Sequence, residues 1–148
     1  MQARSRVLGI ALALVALTST PTAAAGPAAA GTTIRAGNAI GPCMTQVDDV
    51  VRLLPCIPVF ANSARWVRSG GNTIVNTRTG DCLEINHNPV QALRCKPWNF
   101  LGQTWDPRPD GKILYRNSTF CLTANHDARV ADSTPCNGSP QQTWLFRF

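Results

Sequence analysis

A repeat constrains this chain more than any other feature. Cys43, Cys82 and Cys121 stand 39 residues apart, and so do Trp66, Trp105 and Trp144. Two independent markers holding one period mean that a single structural unit is used three times. A second cysteine follows at Cys56, Cys95 and Cys136, with internal spacings of 13, 13 and 15. The two-residue insertion in the third unit is offset before its tryptophan. Between these anchors Thr73-Ile74-Val75 recurs as Lys112-Ile113-Leu114, and Gln103-Thr104-Trp105 recurs as Gln142-Thr143-Trp144. The first unit is the most worn. It keeps Cys43-Met44, Val51, Pro55-Cys56 and Trp66 but has Ala64 where the others have glutamine.

Segments between turn signals are short and rich in Ile, Val, Leu and Thr. They are punctuated by Gly70-Gly71, Thr79-Gly80-Asp81, Asn86 to Pro89 and Pro109-Asp110-Gly111, which predicts strands and no helix. Three units cover residues 32–148, divided at about 32–70, 71–109 and 110–148. A propeller needs at least four blades to close, and a solenoid wants capping ends that are not visible. Three all-β units of this size close instead around a pseudo-threefold axis, as a barrel with a cap: a β-trefoil. With 44% hydrophobic and 15% charged residues, the composition is that of one folded domain.

Residues 1–31 are set apart from the fold. Arg4 and Arg6 precede an apolar run from Val7 to Leu17, and small residues follow through Ala30, with cleavage sites after Ala25 and Ala30. This reads as a secretory signal peptide and a processed N-terminus. The apolar run is too short to span a bilayer, so the expectation is a secreted, extracellular protein without a membrane span. The segment holds two arginines and no acid, leaving +4 of the chain's +6 charge. The remaining basic residues are scattered, which argues against nucleic-acid binding. All six cysteines follow the leader, and an even count in an oxidising compartment predicts three disulfides. None is left as a nucleophile, the spacings do not suit a zinc site, and no cofactor is called for.

Gly111-Lys112-Ile113, then Cys121-Leu122-Thr123, then Cys136-Asn137-Gly138-Ser139-Pro140-Gln141-Gln142-Thr143-Trp144 resembles the ricin-B-type β-trefoil lectins. Thr79-Gly80-Asp81-Cys82-Leu83-Glu84-Ile85, ending at Gln103-Thr104-Trp105, resembles them too. The resemblance covers essentially all of residues 32–148. It implies the pairings Cys43–Cys56, Cys82–Cys95 and Cys121–Cys136. Each bridge would close a loop of about 15 residues, worth about 3 kcal/mol in the chain-entropy model. Trp66, Trp105 and Trp144 are expected to meet in the core rather than to stack on a ligand. Gln103 and Gln142 are expected to bond backbone at strand junctions, because a buried amide must be satisfied.

The resemblance also implies a sugar site in each competent repeat. Its parts are an acid two residues after the first cysteine, a glutamine about four before the second, an aromatic two before it, and an asparagine three before the tryptophan. In the second repeat Glu84 and Gln91 fill the first two places, but Leu93 replaces the aromatic and Gly102 the asparagine. The first repeat offers Thr45, Arg52, Leu54 and Ser63, and the third Thr123, Asp132, Thr134 and Gln141, all without an aromatic. Only the second repeat is a plausible site of this kind. Trp98, within Lys96-Pro97-Trp98-Asn99-Phe100, is either a displaced stacking platform or a residue buried against its own loop. The candidate carbohydrate-binding set is therefore Glu84, Gln91, Trp98 and Asn99.

No nucleophile with a base and no facing carboxylate pair forms a local motif, so catalytic residues are not assigned and an enzyme is not expected. His87 and His126 occupy matched positions five residues after their cysteines, within turns. The reading is a secreted, non-catalytic, glycan-binding module, galactose-type by resemblance. Its rival is a sugar-silent trefoil that binds a protein partner, as a toxin accessory subunit or a hydrolase inhibitor does. For that rival Leu54, Val59, Phe60, Leu93, Trp98 and Phe100 supply a patch.

Overall fold

The computed structural model describes residues 30–97 and 100–148. Most of the proposed leader lies outside the described residues, as do two of the four candidate sugar-site residues, Trp98 and Asn99. The first repeat forms β1 (Thr32–Thr33), β2 (Arg35–Ala36), β3 (Cys43–Val47), β4 (Val50–Leu54) and β5 (Arg65–Ser69). The second forms β6 (Thr73–Asn76), β7 (Asp81–Glu84), β8 (Gln91–Arg94) and β9 (Trp105–Pro107). The third forms β10 (Ile113–Tyr115), β11 (Phe120–Asn125), β12 (Val130–Pro135) and β13 (Trp144–Leu145). Among the described residues there is no α-helix. Four single turns of 3-10 helix occur, and proline opens two of them, at Pro58 and Pro140.

Each repeat contributes one long antiparallel hairpin. β3 pairs with β4, β7 with β8 and β11 with β12, and in each the first cysteine faces the residue two before the second: Leu54, Leu93 and Thr134. The disulfides Cys43–Cys56, Cys82–Cys95 and Cys121–Cys136 lock these hairpins, with Cα separations of 5.2, 4.9 and 5.0 Å. The pairing implied by the resemblance is the one observed.

The three hairpins meet. Val51 N–H donates to Val90 O at 3.1 Å, Val90 N–H to Ala131 O at 2.8 Å, and Leu53 N–H to Arg129 O at 2.9 Å. Every hairpin therefore touches both of the others through backbone, which is how short strands escape having open edges. The sheet closes where β2 pairs with β13, Ala36 opposite Trp144. Inside, Met44, Leu83 and Leu122 are fully buried at 39-residue intervals, as are Trp66 and Trp105, with Trp144 2% exposed. Each indole N–H donates to the carbonyl 22 residues earlier: Trp66 to Met44, Trp105 to Leu83 and Trp144 to Leu122, at 2.8, 2.8 and 2.9 Å. A large apolar ring with one polar handle thus satisfies a carbonyl that would otherwise be orphaned inside the barrel.

Candidate functional site

Glu84 closes β7 and points inward. Its side chain is 2% exposed, and its carboxylate has two partners. Lys96 Nζ donates to Oε1 at 2.6 Å, and Gln103 Nε2 donates to Oε2 at 2.7 Å. A carboxylate can be buried only if it is paired and hydrogen-bonded, and here both conditions are met. Gln103 is satisfied on every side: its amide also donates to Arg94 O at 3.0 Å, and its carbonyl accepts Lys96 N–H at 2.8 Å. The glutamine before the tryptophan therefore bonds backbone and, in addition, holds the acid.

The same frame recurs with different chemistry in the third repeat. There Gln142 Oε1 accepts Asn137 N–H at 2.8 Å, and its amide donates to Pro135 O at 2.9 Å and Thr134 Oγ1 at 3.1 Å. Thr123 stands where the second repeat has Glu84, 3.3 Å from the Gln142 amide, and bonds Thr134 at 2.8 Å. In the first repeat Thr45 is wholly buried, its hydroxyl bonding Cys43 O at 3.1 Å, and Ala64 replaces the glutamine. Among the described residues, only the second repeat places a charged pair at this position.

Gln91 lies opposite Glu84 in the β7–β8 ladder and is partly buried, while Leu93 faces Cys82. Gly102, in the asparagine place, has a physical reason to be glycine. A Cβ there would come within 2.6 Å of the Phe100 ring and 3.2 Å of Ile85 O, and Ile85 N–H donates to Gly102 O at 2.9 Å. Phe100 thus fills the space an asparagine side chain would need. Its ring, 38% exposed, lies 4.0 Å from Lys96 Nζ, a cation–π contact. Lys96 and Phe100 are the residues that sequence reasoning did not place at the site. The departure from asparagine at Gly102 was the available signal.

The structure brings together Glu84, Gln91, Gln103, Lys96 and Phe100. The arrangement is a buried anion under a half-exposed ammonium, with an aromatic face beside them. What it presents outward is the Lys96 ammonium, the partly buried Gln91 amide and the Phe100 ring, while Glu84 and Gln103 stay buried behind them. His87 and His126 are both exposed, on separate hairpin turns. Among the described residues no cluster of His, Cys, Asp or Glu is placed to hold a metal ion, and no helix is long and apolar enough to cross a membrane. The apolar side chains Ile57, Val59 and Leu101 are exposed, at 47%, 77% and 59%.

Neither a known family model nor a curated protein matches this sequence. Solved structures do. The chain is similar to the GlcNAcα1-4Gal-releasing endo-β-galactosidase from Clostridium perfringens, with 15% identity and a TM-score of 0.69 over 80% of this chain. It spans about a third of that enzyme, 32% of its length. It is similar to an earthworm lectin C-terminal domain mutant solved with 6'-sialyllactose, at 12% identity and a TM-score of 0.66, covering 79% of this chain and 97% of that one. It is also similar to the β-trefoil lectin of Vibrio vulnificus hemolysin/cytolysin with N-acetyl-D-lactosamine bound, at 20% identity and a TM-score of 0.64, covering 80% and 94%. The fold is a β-trefoil.

Proposed function

We propose that this protein is a non-catalytic carbohydrate-binding module of the β-trefoil lectin type, with its principal sugar site in the second repeat. The observation that carries this reading is the Glu84–Lys96–Phe100 assembly beside Gln91, built at the position where the resemblance implies a sugar-binding acid. Ammonium and amide groups orient hydroxyls, and an aromatic face takes the C–H side of a ring. Trp98 and Asn99, which follow Lys96-Pro97 in the sequence, are kept in the proposed site. The 6'-sialyllactose of the earthworm domain and the N-acetyl-D-lactosamine of the Vibrio domain both contain galactose and support galactose-type sugars. The three disulfides support an extracellular protein, and the leader supports secretion, with residues 32–148 as the working domain.

Because Glu84 is sealed under Lys96, a sugar hydroxyl reaches the carboxylate only by displacing the ammonium, or else bonds the ammonium directly. Binding through the carboxylate therefore carries the cost of breaking the Glu84–Lys96 pair. The test is a broad glycan array probed with the oxidised chain from Thr32 onward, beside the Glu84→Ala, Gln91→Ala double variant. Selective binding that the double variant loses supports the reading. Silence at high protein density favours the protein-binding rival, for which exposed Ile57, Val59, Phe100 and Leu101 provide apolar surface.

A further inference from the structure

A cavity elsewhere on the molecule, far from Glu84 in sequence, has a different chemistry. It lies between the third and first repeats, has a volume of about 700 Å³, and is lined by Arg35, Arg129, His126, Ile40, Leu54 and Pro55 among others. No Asp or Glu lines it. Among the described residues, neither Arg35 nor Arg129 takes part in a salt bridge. Arg35 and Arg129 bring positive charge to one cavity with no carboxylate among its lining residues, which favours an anion there. Other clefts also carry arginines: Asp106 accompanies Arg108 and Arg116 in one between the second and third repeats, and acid-free pairs line two smaller clefts of about 300 and 220 Å³, Arg35 with Arg65 and Arg68 with Arg147. What sets this cavity apart is its volume of about 700 Å³, with a histidine and an apolar wall beside the arginines.

The frame around the guanidiniums is firm. Arg129 carries φ +55°, whereas the other non-glycine residues in the left-handed region are Asp48, Asn72 and Asn117, side chains that tolerate it. Its carbonyl is held by Leu53 N–H at 2.9 Å. Arg35 is fixed by ladder pairs with Cys43 and Leu145, and its Nη1 spends one long bond of 3.4 Å on Gly41 O. The Gly41 backbone packs so closely that a Cβ there would stand 1.8 Å from Ala36 O. Ile40, 92% exposed, rises at the rim as an apolar shelf.

We infer that this cavity binds an acidic sugar residue, whose carboxylate or sulfate sits between Arg35 and Arg129 while the C–H face of its ring packs on Ile40, Leu54 and Pro55. Paired guanidiniums recognise planar or tetrahedral oxyanions by several N–H donors at once, and His126 offers a further donor at the lip. The inference rests on the carbohydrate-binding reading but not on the Glu84 site, which is a separate place on the molecule.

The test is amide chemical-shift titration of the oxidised ¹⁵N-labelled protein with a digalacturonic acid, a sulfated heparin disaccharide, lactose and a short poly-glutamate peptide. The expected result is saturable shifts at Ile40, Gly41 and Arg129 with one or both acidic disaccharides, and none there with lactose. Which acidic sugar saturates first separates carboxylate from sulfate. Arg129→Gly suits the left-handed backbone, so its melting temperature should hold while its affinity falls about tenfold or more. Arg35→Gln should fall similarly, and Arg94→Gln, exposed on β8 and lining none of these clefts, should bind like the parent. Equal binding of poly-glutamate, or unchanged affinity in both cavity variants, overturns the inference. Lactose shifts around Glu84 with a silent cavity overturn it alone, whereas no response to any saccharide overturns it together with the carbohydrate-binding reading.

Discussion

Removing Lys96 tests whether the candidate site is also a structural lock. In Lys96→Met the Glu84 carboxylate, 2% exposed, keeps only the Gln103 amide at 2.7 Å among its described partners. Breaking a wholly buried ion pair by deleting one member costs about 3–5 kcal/mol, and breaking an exposed one costs about 0–1 kcal/mol. Lys96 is 41% exposed, so water takes over part of its role, and a loss of about 2 kcal/mol is expected. Glu84→Gln keeps an acceptor for Gln103 and lets Lys96 turn to solvent, which costs about 1 kcal/mol. The double variant contains no uncompensated buried charge and should also lose only about 1 kcal/mol, leaving a coupling of about 2 kcal/mol. Urea unfolding followed by tryptophan fluorescence, with the disulfides intact and the slope unchanged across the four proteins, measures this. Additive losses, with a coupling below about 0.5 kcal/mol, would show that Glu84 does not depend on Lys96 and that the burial argument fails.

Two further outcomes follow from buried polar groups. Ser133 is 6% exposed and its hydroxyl has no partner among the described residues, so Ser133→Ala should leave stability unchanged or raise it by up to about 1 kcal/mol in thermal unfolding. Trp105→Phe removes the donor to Leu83 O and leaves a void, costing about 3 kcal/mol, and the matching changes at Trp66 and Trp144 should agree with it within about 1 kcal/mol. A large spread among the three in chemical denaturation would mean that the repeated hydrogen bond is not the shared source of stability.

The fold was legible because its markers report geometry that must recur. A tryptophan that bonds the carbonyl 22 residues earlier cannot drift relative to its cysteine without losing that bond, so both keep the 39-residue period. The cysteines are legible for a similar reason: each pair fastens the open end of one hairpin. The candidate site was only half legible. Glu84 and Gln91 are visible because the resemblance supplies their places, and they face each other on adjacent strands. Lys96 and Phe100 were hidden because their roles arise from how the chain turns after Cys95, and no local pattern of residues describes that turn. The basic cavity was hidden more deeply, since Arg35 and Arg129 come from opposite ends of the domain and line one cavity only when the first and third repeats pack.

The pairing of β2 with β13 governs the order in which this protein can fold. Local hairpins form early, since their contacts span few residues, but the last seam joins Ala36 to Trp144 across more than a hundred positions. Until the final strand is available, β2 offers an unpaired edge and Trp144 has no place in the core. Before that seam forms, the free edge of β2 is open to other strands, and the interval until β13 arrives is the one in which aggregation competes with folding.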